Sequence, residues 1–208
     1  MIRVSLYLAL GDSITAGYGV GNSFSFPMVF ANFLWRHDRD LRVQNLGVNG
    51  LKTQDLLELL QCNHRLRQLV SRASLITITI GSNDLLHLIR NSNQSINISQ
   101  LPLILANMGK TLAQVGEMVR RLNSIAIVKV ATLYNPLPAG PYAQYSGQVQ
   151  GVIDTANAII IAWAKQYGFV VVYIDREMRG KERFLIGPDY GHPNEVGYTV
   201  VAKAFARY

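Results

Sequence analysis

The chain has 208 residues, of which 49% are hydrophobic and only 16% charged, and it carries a formal net charge of +7 with a pI near 9.7. These values fit one globular domain over residues 1–208 with a sizeable core, and they exclude a disordered chain. The single cysteine, Cys62, excludes an internal disulfide and reads as a small core or half-buried residue.

Strand-like and helix-like periodicities alternate along the chain. Residues 4–10 read as a first core strand, and residues 26–37 as a helix with Pro27 in its first turn. Residues 41–46 form a short strand. Residues 53–70 form a helix capped by Thr53, with Leu56, Leu57, Leu59, Leu60, Leu66 and Leu69 on its buried side. The β-branched run 74–80 is a central strand, followed by a short helix over 84–89 and a polar loop over 91–100. A helix over 102–122, a strand over 125–131 and a loop over 133–145 come next. Residues 147–167 form a helix with Ile153, Ala156, Ile160 and Trp163 on one face, and residues 169–174 the last strand. Residues 175–193 read as irregular, and Asn194 caps a closing helix over 195–206. Five strands with helical crossovers predict an α/β fold with a mostly parallel sheet. Such sheets carry their sites at the carboxyl ends of the strands.

Four polar or glycine-rich blocks fall just after strands: Gly11-Asp12-Ser13-Ile14-Thr15, Asn45-Leu46-Gly47-Val48-Asn49-Gly50, Gly81-Ser82-Asn83-Asp84 and Asp189-Tyr190-Gly191-His192-Pro193. A serine hydroxyl needs a neighbouring base to become a nucleophile. His192 can be that base, and Asp189, three residues earlier, can orient its imidazole and stabilise the imidazolium. The Ser13 N–H, the Gly50 N–H and the Asn83 side-chain amide can supply an oxyanion with donors. Each residue also has a plainer role open to it: Ser13 and Asn83 as helix caps, Gly50 in a tight turn, His192 as a surface histidine. Asp12 reads as a structural hydrogen-bonding residue.

Taken together, the four blocks in this order resemble those of the SGNH hydrolases, also called GDSL esterases and lipases. The family letters correspond to Ser13, Gly50, Asn83 and His192, with Asp189 completing the last block. The resemblance covers nearly the whole chain. It implies a flavodoxin-like three-layer α/β/α fold with strand order 2-1-3-4-5. It also implies ester hydrolysis through an acyl-enzyme, and no metal or organic cofactor. The chain departs from the pattern in one place: many members have glycine directly after the aspartate, where Tyr190 stands here.

The remaining features point away from other chemistry. His37, His64 and His87 lack ligand spacing for zinc, although His87 is near enough to Asn83 to border a pocket. Gly17-Tyr18-Gly19-Val20-Gly21 does not form a nucleotide-binding turn, and no Gly-x-Ser-x-Gly elbow occurs. The two Asn-x-Ser matches, at Asn93 and Asn97, carry no weight without a signal peptide. No run approaches the ~18 apolar residues that span a bilayer. The apolar N-terminus reads as a strand and not as a leader, so a cytoplasmic location is expected, although a secreted mature chain would read alike. The basic residues are scattered. Their densest groups, Arg65, Arg67 and Arg72 and then Arg176, Arg179, Lys181 and Arg183, read as solvated surface. Nucleic acid is therefore not an expected partner, and the charge suits at most weak association with anionic lipid.

Apolar residues near the blocks, among them Phe24, Phe26, Leu51, Leu85, Leu86, Tyr134, Tyr142, Tyr145, Phe184, Leu185 and Ile186, are candidates for an acyl cleft. The expected substrate is a small-molecule or lipid carboxylic ester with a short to medium acyl chain. The alternatives are a carbohydrate O-acetylesterase and, outside enzymes, an inactive binding module on the same fold.

Overall fold

A computed structural model describes residues 6–86 and 98–208. The first strand, β1 (Leu6–Gly11), sends Leu8 and Leu10 to one face and Tyr7 and Ala9 to the other, and both faces are buried. That is the pattern of a central parallel strand covered on both sides. β1 pairs with β2 (Arg42–Gly47) and with β3 (Leu75–Thr79), which pairs with β4 (Ile127–Ala131), which pairs with β5 (Val170–Val172). All pairings are parallel, and the order is β2-β1-β3-β4-β5, as the resemblance implies. The register sets Gly11 beside both Gly47 and Thr79, so the first three strands end level and their following loops leave one edge together.

The helices divide between the two faces. α1 (Ser13–Ala16) and α2 (Phe26–Leu34) follow β1, and α2 packs its Phe30 into the layer around Tyr7. α3 (Thr53–Cys62) and α4 (His64–Arg72) cover the opposite face. α5 (Ser82–Leu85) follows β3. α6 (Leu101–Leu122) precedes β4 and α7 (Ser146–Gln166) follows it, both on the face of α3. α8 (Ile174–Met178), α9 (Glu182–Leu185) and α10 (Glu195–Arg207) return to the face of α2, where Phe26 stacks on Phe205 at 4.6 Å. No helix among the described residues is long and apolar enough to cross a membrane.

Several local expectations are corrected. The single helix over 53–70 is two helices, broken at Asn63 in an extended conformation. The Asn63 side chain accepts the Leu66 N–H, which lets it cap a new helix rather than continue the old one. The cap before α3 is Lys52, not Thr53; Thr53 is the first helical residue, and its hydroxyl donates instead to Asp84 at 2.6 Å. Cys62, the last residue of α3, is exposed and lies off the buried face formed by Leu56, Leu57 and Leu60, not in the core. The stretch 175–193 holds two short helices, α8 and α9, around the buried Met178 and Leu185, so the Asp189 block follows α9 and not, as expected, the end of β5. Asn194 does cap α10, accepting the Gly197 N–H. His87, Asn93, Asn97, most of the expected polar loop and the end of the expected short helix lie outside the described residues.

Candidate active site

Ser13 owes its position to the two residues before it. Gly11 turns out of β1 at φ 140°, and a Cβ there would lie 2.1 Å from the Thr79 carbonyl, so only glycine lets the strands come this close. Asp12 caps α1 by accepting the Ile14 N–H at 3.0 Å. Its carboxylate also accepts the hydroxyls of Thr79 at 3.0 Å and Ser82 at 2.9 Å. Burial pushes the Asp12 carboxyl above its ordinary value, although these hydrogen bonds and the charge of His192 pull it down. Ser13 is thereby held as the first residue of α1, 8% exposed, at the carboxyl edge of the sheet.

The Asp189 block is closed like a small hairpin. Ile186 bridges Pro193, and the Gly187 N–H donates to the His192 carbonyl at 2.7 Å. Inside this turn Asp189 accepts the N–H groups of Gly191 at 3.1 Å and His192 at 3.0 Å. Its second oxygen lies 2.5 Å from His192 Nδ1. Burial alone would raise the Asp189 carboxyl, but the hydrogen bonds from His192 and Gly191 outweigh it and hold the group below its ordinary value. His192 Nε2 stands 2.8 Å from Ser13 Oγ across 179 positions of sequence. Tyr190 adopts φ 56°, the left-handed conformation that glycine takes without strain, so the turn survives the substitution. Its side chain packs against Gly140 rather than lining the cavity.

The proposed oxyanion donors come from the first residue of α1, the loop after β2 and α5. Asn83 is the second residue of α5, whose cap is Gly81, so Asn83 is not a helix cap. Its amide donates to the Leu51 carbonyl at 2.9 Å, which leaves the second amide hydrogen for another acceptor. That bond also ties the Gly50 loop to α5. Gly50 has φ 81°, a conformation that strains any other residue, and nothing crowds the place of its missing Cβ. Neither the Ser13 nor the Gly50 N–H donates to another described residue.

A cavity of about 200 Å³ opens from Ser13 and His192. Its walls are mostly apolar, with Leu85 and Leu86 after β3, Leu133 and Leu137 after β4, and Val149 and Ile153 from α7. Of the candidate acyl-cleft residues, Leu85, Leu86 and Tyr134 line it. Phe26, Leu51, Leu185 and Ile186 belong to the core, and Phe24, Tyr142 and Phe184 are exposed elsewhere. The α7 wall was not among the expected lining residues, because a helix face that packs on the sheet reads the same as one that packs on a ligand.

Sequence reasoning also missed an aromatic and hydroxyl surround. Thr15 and Thr79 hydroxyls meet at 2.7 Å beneath Asp12. Tyr134 donates to the Gly191 carbonyl at 2.8 Å. Tyr198 donates to the carbonyls of Tyr18 and Ser13, and the Tyr18 ring lies 4.4 Å from the His192 ring. No periodicity marks these contacts, because their partners are far apart in sequence. Among the described residues no group of three or more His, Cys, Asp or Glu side chains is placed to hold a metal ion.

A parallel sheet of this order, flanked by helices on both faces, is the fold of the SGNH-type hydrolases. The sequence profile of the GDSL-like lipase/acylhydrolase family matches residues 9–200, and the chain belongs to that family of carboxylic ester hydrolases. It is 25% identical over 207 residues to the spore germination lipase LipC of Bacillus licheniformis, covering 95% of this chain and 92% of LipC. Among solved structures, the lipase Lip_vut3 from a goat rumen metagenome matches at a TM-score of 0.80 and 22% identity, over 97% of this chain and 96% of that one. Axe2, an acetylxylan esterase from Geobacillus stearothermophilus, matches at a TM-score of 0.74 and 17% identity, over 100% and 94%. At these identities the two structural likenesses are likenesses of fold.

Proposed function

We propose that the protein cleaves carboxylic esters through an acyl-enzyme on Ser13, with His192 as general base and acid and Asp189 as its orienting carboxylate. The observation that carries this reading is the continuous line from Ser13 Oγ to His192 Nε2 at 2.8 Å and from His192 Nδ1 to Asp189 at 2.5 Å. With the Nδ1 proton donated to Asp189, Nε2 accepts the Ser13 proton as Oγ attacks the ester carbonyl. The resulting oxyanion takes hydrogen bonds from the Ser13 N–H, the Gly50 N–H and the Asn83 amide. Collapse expels the alcohol, which takes the proton from His192. Water then attacks the acyl-enzyme by the same route and releases the acid.

The apolar cavity beside Ser13 supports acyl chains longer than acetyl, in the short to medium range. This also fits the description of LipC as a lipase. The test is hydrolysis of p-nitrophenyl esters from acetyl to long acyl chains, beside Ser13→Ala. Activity that falls by several orders of magnitude in the variant, with an optimum beyond acetyl, is the expected result. Equal activity in both proteins would remove Ser13 from the mechanism. A sharp acetyl optimum would favour the deacetylase alternative.

A further inference from the structure

The proposed base is covered on one side by an aromatic ring that the mechanism above does not use. The ring centroids of Tyr18 and His192 are 4.4 Å apart, with the planes inclined by 37°. Tyr18 is tied to the nucleophile's own backbone. Its N–H donates to the Ser13 carbonyl at 3.0 Å, and its carbonyl accepts the hydroxyl of the buried Tyr198 at 3.0 Å. Gly17, at φ 79°, makes the left-handed turn that brings residue 18 back over the site, and a Cβ there would strike Ser25 at 2.5 Å. Tyr18 is nonetheless 46% exposed as a residue, so it is not needed to fill the core.

We propose that Tyr18 is a positioning residue for His192, its ring face holding the imidazole against rotation and stabilising the imidazolium formed when Ser13 attacks. An aromatic face attracts a cation through its quadrupole and has little preference for the neutral ring, so the effect favours the charged form. The other groups set around the imidazole act alongside it. Asp189 from the same loop and Asp12 from the cap of α1 are the carboxylates that face it. The phenols of Tyr134 and Tyr198, from the loop after β4 and from α10, are pushed up by burial and stay neutral. The contact of Tyr18 with His192 is made ring to ring, so the ring of Tyr18, and not its hydroxyl, carries the role.

This inference rests on His192 being the base, and its test separates the two. The His192 imidazole is titrated by proton NMR in a Ser13→Ala background, with residue 18 as Tyr, Phe, Leu or Trp, its signal assigned by loss in His192→Gln. An attraction of the size usual at partly exposed sites moves the midpoint down by about 0.4–0.7 pH unit in Tyr18→Leu. In the Ser13 protein the same change lowers kcat/KM about two- to five-fold and moves the acidic limb of its pH profile by the same interval. Tyr18→Phe leaves both unchanged, and Tyr18→Trp moves the midpoint up. A midpoint in Tyr18→Leu equal to that of the parent overturns the proposal, as does a Phe variant that behaves like Leu. A drop in kcat/KM with an unmoved midpoint assigns Tyr18 to packing alone and overturns it as well. If the protein cleaves no ester, the esterase mechanism fails while the NMR comparison still decides the role of Tyr18.

Discussion

The apolar cavity gives a quantitative expectation for acyl-chain selection. Each methylene moved from water into such a cavity contributes about 0.8 kcal/mol, and 1.36 kcal/mol is a factor of ten, so kcat/KM should rise about four-fold per carbon until the chain meets a wall. Val149 and Ile153 of α7 form part of that wall. Replacing Val149 by Phe extends a ring into the cavity. If it blocks the space of roughly two or three methylenes, the longest accepted esters lose about 1.6–2.4 kcal/mol, or ~15- to 60-fold, whereas the acetyl ester is unaffected. The assay is kcat/KM on a graded p-nitrophenyl ester series for both proteins, with a thermal melt to show that the new ring has not turned into the core, where overpacking costs about 1–3 kcal/mol. A variant that keeps the parent's optimal chain length and slope would show that the acyl group binds elsewhere.

Other expectations follow from single contacts. Asn83→Ala removes one proposed oxyanion donor and should lower kcat by about 10²–10³, with KM for acetyl esters little changed in steady-state assays. Asp189 and Asp12 should affect stability with opposite sign. The folded Asp189 carboxyl lies below its ordinary value, so its contribution is present above that value and is lost as pH falls through the folded one; Asp189→Asn should flatten the acid side of a denaturation-versus-pH curve. The folded Asp12 carboxyl lies above its ordinary value, so stability is lost as pH rises through it, and Asp12→Asn should remove that loss, keeping the bonds from Ile14 and Thr79 while the Ser82 hydroxyl turns to accept from the new amide. Arg120 donates to the carbonyls of Ala126, Tyr167 and Gly168 at 2.8–2.9 Å and lies 4.7 Å from the Phe169 ring. Arg120→Met leaves those carbonyls to water and should cost about 2 kcal/mol, or ~4–8 °C in melting temperature, without altering ester kinetics measured well below the melt.

The legibility of this protein differs between levels. The central strands β1 and β3 and the blocks that follow them were readable because both faces of a central parallel strand are buried and leave an apolar run. The break at Asn63 was not readable, since the leucine periodicity continues through it and only the side chain's hydrogen bond to Leu66 ends the helix. The short helices α8 and α9 were hidden for a related reason: each is only a turn or so of helix, too short to show a period, and is held by tertiary packing of Met178 and Leu185.

The same division applies to the site. Sequence alone nominated Ser13, Gly50 and Asn83, because each lies in a glycine-rich or polar block within a few residues of a strand end, and nominated Asp189 and His192 by their spacing, although two helices separate them from β5. The Asp189–His192 spacing is likewise local, and one turn of chain realises it. Tertiary structure alone decided that Ser13 Oγ meets His192 Nε2 across the sheet edge, that α7 supplies part of the wall of the apolar cavity beside them, and that Tyr18 covers the imidazole. These depend on strand register and helix packing, which bring together residues whose separation along the chain carries no periodic trace.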